Sequence, residues 1–226
     1  MKEIRVAESA GFCFGVSRSV DMAQTMLAEG PCCSLGQLIH NEDVVKKLEG
    51  QGLRVIASPE EAQPGERVLI RAHGVARRVC QELEDRGALV TDATCPRVKA
   101  IHTIVSRAQE EGRFVIIIGM RRHPEVEGIA GWCEDCKVFA TPEELTGWAK
   151  SDESHRDLPI CMVCQTTSTE SLWKICVKNA KTCAAKIASC QPRRFWCIMS
   201  PRIPIFWAFL SKFFFIFQKR RTCFYE

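Results

Sequence analysis

The chain has 226 residues, 46% hydrophobic and 26% charged, which is enough to build a core and excludes whole-length disorder, collagen and coiled coil. A net charge of +4 gives no reason to expect a nucleic-acid partner. The opening Met1-Lys-Glu-Ile-Arg-Val6 has no apolar leader, so the expected setting is cytoplasmic, with no membrane segment and 14 reduced cysteines read as ligands, redox groups or small hydrophobes.

In chain order, strand-like and helix-like runs alternate. Ile4 to Ala7 reads as a strand leading into Gly11-Phe-Cys-Phe-Gly15. Val16, Val20, Ala23 and Leu27 then make the apolar stripe of a helix that Gly30-Pro31 stops. Cys33-Ser-Leu35 is a strand, and Asn41 caps a helix through Leu48. Leu53–Ile56 and Arg67–Arg71 are strands, Val75–Asp85 a helix, and Ala88–Thr91 a strand entering Asp92-Ala-Thr-Cys-Pro96. Pro96 suits a helix start, with Val98, Ile101, Val105 and Ala108 as its buried stripe. Phe114–Ile118 is a fully buried strand, Val138-Phe139 and Ile160–Val163 are further strands, and Ser168 caps a helix through Ala180. The alternation predicts an α/β fold with mainly parallel sheets.

The reactive side chains fall at the ends of those strands. Cys13, His40, His73, Cys95, His123 and Thr166 each sit just after a strand or at a strand-to-helix turn, where open α/β sheets bind ligands. Cys13 and Cys95 stand in matching positions before helices, where the helix dipole favours a thiolate, and such a pair suits an iron–sulfur cluster. His40 and His73 end apolar strands and suit an anionic phosphate or a proton transfer. His123-Pro-Glu125 puts a carboxylate two residues from an imidazole, as a proton relay needs, and Gln165-Thr-Thr167 offers hydroxyls to an oxygen-rich ligand. Cys133-x2-Cys136 and Cys161-x2-Cys164 form a competing array that reads as structural zinc, although the spacer is long and the second pair lies in a strand whose side chains alternate between faces. That competing reading makes the chain a non-catalytic zinc-binding or ligand-binding remnant. Cys32-Cys33 is read as incidental.

Gly11-Phe-Cys-Phe-Gly-Val16, Leu35-Gly-Gln-Leu-Ile-His-Asn41, Arg71-Ala-His-Gly-Val75, Asp92-Ala-Thr-Cys-Pro96, His123-Pro-Glu-Val-Glu-Gly128 and Gln165-Thr-Thr167, in that order, resemble the 4-hydroxy-3-methylbut-2-enyl diphosphate reductase family over about residues 1–180. The resemblance implies three similar α/β domains around a central 4Fe-4S cluster, with one cysteine from each. It implies Cys13 and Cys95 as two of those ligands. It implies His40 and His73 on the diphosphate, with His123, Thr166 and Thr167 also binding substrate. Glu125, His123 and Thr166 are the implied catalytic groups. The implied reaction is reductive dehydroxylation of the substrate, on an isoprenoid route, to isopentenyl and dimethylallyl diphosphates, with reduced ferredoxin or flavodoxin as electron donor.

The composition changes near residue 170. Residues 1–170 carry 20 Lys+Arg against 26 Asp+Glu, whereas residues 171–226 carry 11 against the single Glu226. All 14 glycines lie at or before Gly147, and eight of the 12 phenylalanines at or after Phe195. The family's third-domain motifs, a cysteine in a Thr-Ile-Cys-like setting and a Ser-x-Asn, do not occur. The expectation is two domains, residues 1–95 and 96–180, then a basic, aromatic tail over 181–226, a C-terminal truncation or frame change with little or no activity. The run Ile203–Phe217 is too short to span a bilayer, and Phe213–Phe217, added to the apolar surface that two domains expose without a third, predicts aggregation.

Overall fold

The computed structural model describes residues 11–185 and 195–197, and the expected strand at Ile4–Ala7 and the apolar run Ile203–Phe217 lie outside them. The chain divides into two units, Met1–Trp196 and Cys197–Glu226.

The first sheet holds β1 (Cys32–Leu35), β2 (Leu53–Ile56), β3 (Arg67–Ile70) and β4 (Leu89–Asp92), all parallel, in the order β2-β1-β3-β4. Period-two alternation sends its side chains to two cores. Cys32 and Leu69 join Ala23, Met26, Leu38, Val45 and Leu48 on one face, beneath α1 (Phe14–Glu29) and α2 (Glu42–Gly50). Cys33, Leu35, Val68 and Ile70 face the other way, toward Leu83 of α3 (Arg77–Asp85). Burying each large side chain contributes about 1.5–3 kcal/mol. Asn41 caps α2 as expected, its Oδ1 accepting from Val44 N–H at 3.0 Å.

α4 (Pro96–Glu110) carries the chain to a second sheet of β5 (Phe114–Ile118), β6 (Cys136–Phe139), β7 (Ile160–Cys164) and β8 (Phe195–Cys197), in the order β6-β5-β7-β8. β5 runs parallel to both β6 and β7, and its Val115 to Ile118 are wholly buried. α5 (Pro124–Ala130) and α6 (Pro142–Ser151) were not expected from periodicity; each opens on a proline after a capping side chain, His123 and Thr141. α7 (Glu170–Ala185) differs from expectation at both ends. Thr169 rather than Ser168 caps it, with Oγ1 accepting from Leu172 N–H at 3.2 Å, and no glycine or proline stops it at Ala180.

α1 is also rotated from its expected stripe. Gly15, Ser19, Ala23 and Met26 are its buried residues, while Val16, Val20 and Leu27 pack at the margin. The cause is polar. Ser19 Oγ donates to Ala93 O at 2.8 Å, and Arg18 donates to Thr94 O at 3.3 Å, so the small face of α1 lies on the turn that ends in Cys95.

Candidate functional site

In a parallel sheet whose strand order reverses, the loops at the reversal part and leave a crevice. The first sheet reverses between β1 and β3, and the second between β5 and β7. His40 follows β1, His73 follows β3, His123 follows β5 and Thr166 follows β7. Both reversals thus carry the residues singled out by sequence.

Beyond the strands of the first sheet the ladder continues through single backbone bonds. Ala72 N–H donates to Leu38 O at 3.1 Å, and Cys95 N–H donates to Ala72 O at 2.8 Å. These bonds set the segments of His40, His73 and Cys95 side by side. In the second sheet Gln165 does the same work. Its N–H donates to Ile118 O at 2.8 Å, its buried Oε1 accepts from Met120 N–H at 3.1 Å, and its Nε2 donates to Thr167 Oγ1 at 2.7 Å. Thr167 is therefore engaged as a tether of its own turn.

The two reversals meet. The His40 and His73 rings lie 4.1 Å apart, and His123 stands 5.5 Å from His40 and 5.7 Å from His73. Backbone packing fixes this meeting: Arg77 N–H donates to Gly131 O at 3.2 Å, Trp132 Nε1 donates to Val75 O at 2.9 Å, and Trp132 stacks on His102 of α4 at 5.0 Å. Gly74 has φ +72°, and a Cβ there would lie 2.6 Å from His102 Cε1, so only glycine fits between His73 and that imidazole.

Burial disfavours charge on these rings. His73 is pushed down to about 4, first by burial and then by His40, His123 and Arg71. His40 is lowered by burial, with His123 and Arg71 adding. The Nδ1 of His73 is buried with no hydrogen-bond partner, so this nitrogen is available to a ligand atom. His123 is held differently. Its Nδ1 accepts from Glu125 N–H at 3.1 Å as the cap of α5, which leaves the ring proton of the neutral form on Nε2. Arg71, beside the histidines, donates to Gly74 O at 3.4 Å and brings a positive charge that the sequence reading left out of the site.

Glu125 lies beneath Thr166. The carboxyl is 2% exposed, its Oε1 accepts from Thr166 N–H at 2.5 Å, and its Oε2 accepts from Thr166 Oγ1 at 2.8 Å. Thr166 itself is exposed, so a buried acid reaches the surface through one hydroxyl. That is the geometry of a short proton path.

Cys13 and Cys95 are the N-caps of α1 and α4, and neither thiol caps its own helix. Cys95 packs against the first turn of α1, two residues after Cys13, where a Cβ on Gly15 would collide with Cys95 Sγ. Two thiols beside two helix starts, with a glycine cradle between, fit an electron-rich iron–sulfur cluster. Among the described residues no three or more His, Cys, Asp or Glu are grouped to hold a metal ion. The array expected for zinc is not assembled. Cys161 pairs with Val115 at one end of β5, and Cys164 with Ile118 at the other. The sequence reading missed Ser19, Arg18 and Gln165 as positioning residues. A polar residue on an otherwise apolar helix face was the one signal for Ser19.

The model of the family described as LytB protein matches residues 4–193. A 4-hydroxy-3-methylbut-2-enyl diphosphate reductase of Caldanaerobacter subterraneus subsp. tengcongensis is 38% identical over 194 residues, 82% of this chain and 64% of that protein. The reductase of that name from Clostridioides difficile is 38% identical over 172 residues, 75% of this chain and 61% of its own length. Among solved structures, the E-1-hydroxy-2-methyl-but-2-enyl-4-diphosphate reductase from Plasmodium falciparum superposes with TM-score 0.72 at 25% identity, over 77% of this chain and 55% of that one. A second, the (E)-4-hydroxy-3-methyl-but-2-enyl diphosphate reductase described as the terminal enzyme of the non-mevalonate pathway, gives 0.67 at 35%, over 80% and 64%. The chain thus spans a little over six-tenths of the length of these curated relatives.

Proposed function

The chain belongs to the LytB protein family, and from that premise we propose that it binds 4-hydroxy-3-methylbut-2-enyl diphosphate and serves its reductive dehydroxylation to isopentenyl and dimethylallyl diphosphates. The reaction takes two electrons and two protons: the C–O bond breaks, the hydroxyl leaves as water with one proton, and the other enters the new C–H bond. The observation that carries this reading is the meeting of three imidazoles from two sheets beside a buried carboxylate–hydroxyl pair.

Residue roles follow from that geometry. His40 and His73 receive the diphosphate, the unpartnered Nδ1 of His73 taking up a phosphate proton or oxygen according to its protonation. His123 donates from Nε2, because its Nδ1 is occupied by the α5 cap. Arg71 adds positive charge behind them. Thr166 orients the substrate hydroxyl and passes a proton from Glu125, whose second oxygen is pinned by the Thr166 backbone. Thr167 lends substrate contact from the same turn. Cys13 and Cys95 would hold a 4Fe-4S cluster, which supplies the electrons and a Lewis-acidic iron when bound. Reduced ferredoxin or flavodoxin is the proposed source of those electrons. Residues 1–95 and 96–180 are the two proposed domains. The proposed setting is cytoplasmic, and among the described residues no helix is long and apolar enough to cross a membrane.

The test is anaerobic. Reconstitution with iron and sulfide should load the chain through its thiols, and Cys13→Ser or Cys95→Ser should cut iron and sulfide uptake. Calorimetry with the diphosphate substrate should show one site that His40→Ala and His73→Ala each weaken. Loading indifferent to both cysteines, together with substrate binding indifferent to both histidines, would overturn the reading.

A further inference from the structure

The turn between α5 and β6 holds chemistry that the proposed reaction does not use. Cys133-Glu-Asp-Cys136 spans it, with bends at Glu134 and Asp135. Gln109 of α4 clamps the bend, its Oε1 accepting from both Glu134 N–H at 3.0 Å and Asp135 N–H at 3.2 Å. The clamp bends the tetrapeptide, and its two end thiols are close enough that each is the leading influence on the other's ionisation. Both cysteines are partly exposed, so a small reagent reaches them. Cys161 is also near Cys133, but it is buried in β7 at 1% exposure.

We propose that Cys133 and Cys136 form a redox-active dithiol that closes to an intramolecular disulfide by exchange with a low-molecular-weight disulfide. The Cys136 thiolate attacks one sulfur of glutathione disulfide and releases one glutathione. Cys133 then attacks the mixed disulfide at the Cys136 sulfur and releases the second. Two S–H bonds are lost, one S–S bond forms within the chain, and the oxidant is reduced to two thiols. The order follows from the pair's asymmetry. The contact between the two sulfurs lowers the Cys136 thiol and raises that of Cys133, with burial adding to the latter, and Cys133 Sγ also lies 3.7 Å from Ala130 O, to which its S–H donates. The same contact leaves a resolving thiol already beside the sulfur it must attack. The turn follows the helix that carries Glu125, and its Gly131 O is bonded to Arg77 N–H, so closure occurs next to the seam between the two sheets.

The proposal stands apart from the reductase reading and is tested without turnover. The full chain is equilibrated across a series of glutathione to glutathione disulfide ratios, quenched in acid, alkylated and cut with trypsin. Cleavage after Arg122 and Lys137 places both cysteines on one peptide, residues 123–137, apart from Cys161. The expected product is that peptide lighter by two hydrogens and carrying no alkyl group. Cys133→Ser should instead trap glutathione on Cys136. The urea-unfolded chain should need a more oxidising ratio, because the Gln109 clamp is gone. Alkylation of both thiols at every ratio, a cross-link to Cys161, or equal oxidation of the unfolded chain would each overturn the proposal.

Discussion

The two sheets share a topology and differ in what they place at the reversal. The first sheet presents His40, His73 and Arg71, all cationic or proton-accepting, crowded so that burial holds the rings neutral. The second presents Glu125 under Thr166, a buried acid with both oxygens occupied and a hydroxyl leading outward. His123 stands at the join, capped from the second sheet and facing the first. In the proposed function, one crevice geometry would receive an anion on one side and carry a proton on the other. The difference comes from a few side chains and not from the backbone.

The largest expected effect is on acid stability. His73 and His102 are both held neutral in the fold down to about 4, against an ordinary 6.5. Between those values the unfolded chain binds protons that the fold does not, so stability falls as pH drops from 6.5 toward 4. A fully buried imidazole contributes up to about 1.4 kcal/mol per pH unit, less for the half-buried His73 because solvent screens it. Both rings lie against Gly74, so protection of the Ala72 amide against hydrogen exchange should fail before that of the Gln165 amide. Equal loss at both amides would erase the distinction between the two sides.

The comparison is sharpened by binding. His73→Ala should weaken inorganic pyrophosphate by about 10- to 150-fold, the value of a hydrogen bond to a charged group, in calorimetry. Glu125→Gln should leave that affinity unchanged while abolishing proton delivery. A Glu125→Gln loss as large as that of His73→Ala would break the division of labour. Gly15→Ala should cost about 1–3 kcal/mol in urea unfolding, because its methyl meets Cys95 Sγ. Gly147→Ala, in α6 with nothing near its Cβ, should instead stabilise by about 0.5–1 kcal/mol and serves as the control. Ser19→Ala falls between them, at about 1 kcal/mol lost with its bond to Ala93 O.

Much of this was legible in the sequence, and the failures have physical causes. Strands β3 and β5 were plain because short apolar runs end at Arg71-Ala-His73 and Gly119. Helix α5 was hidden because it is seven residues long and opens on His123-Pro124, a cap that sequence scanning for Ser, Thr, Asp or Asn passes over. α1 was placed correctly but turned, since Ser19 buries a satisfied hydroxyl that an apolar-stripe argument assigns to solvent. The strand-end positions of His40, His73, His123 and Thr166 pointed to one site, while their distances depend on packing at Gly74 and Gly131 that no local pattern encodes. The zinc array failed because β7 sends Cys161 and Cys164 to different ends of the sheet.

The most direct measurement is nitrogen NMR of the histidine rings during titration with the diphosphate substrate. The chain has five histidines, and His155, stacked on Trp148 at 4.2 Å, is an internal control. The account expects His40, His73 and His123 to shift together, with proton uptake at His73 and His155 unmoved. Shifts confined to one ring, or equal shifts at His155, would contradict a diphosphate site shared by the two sheets.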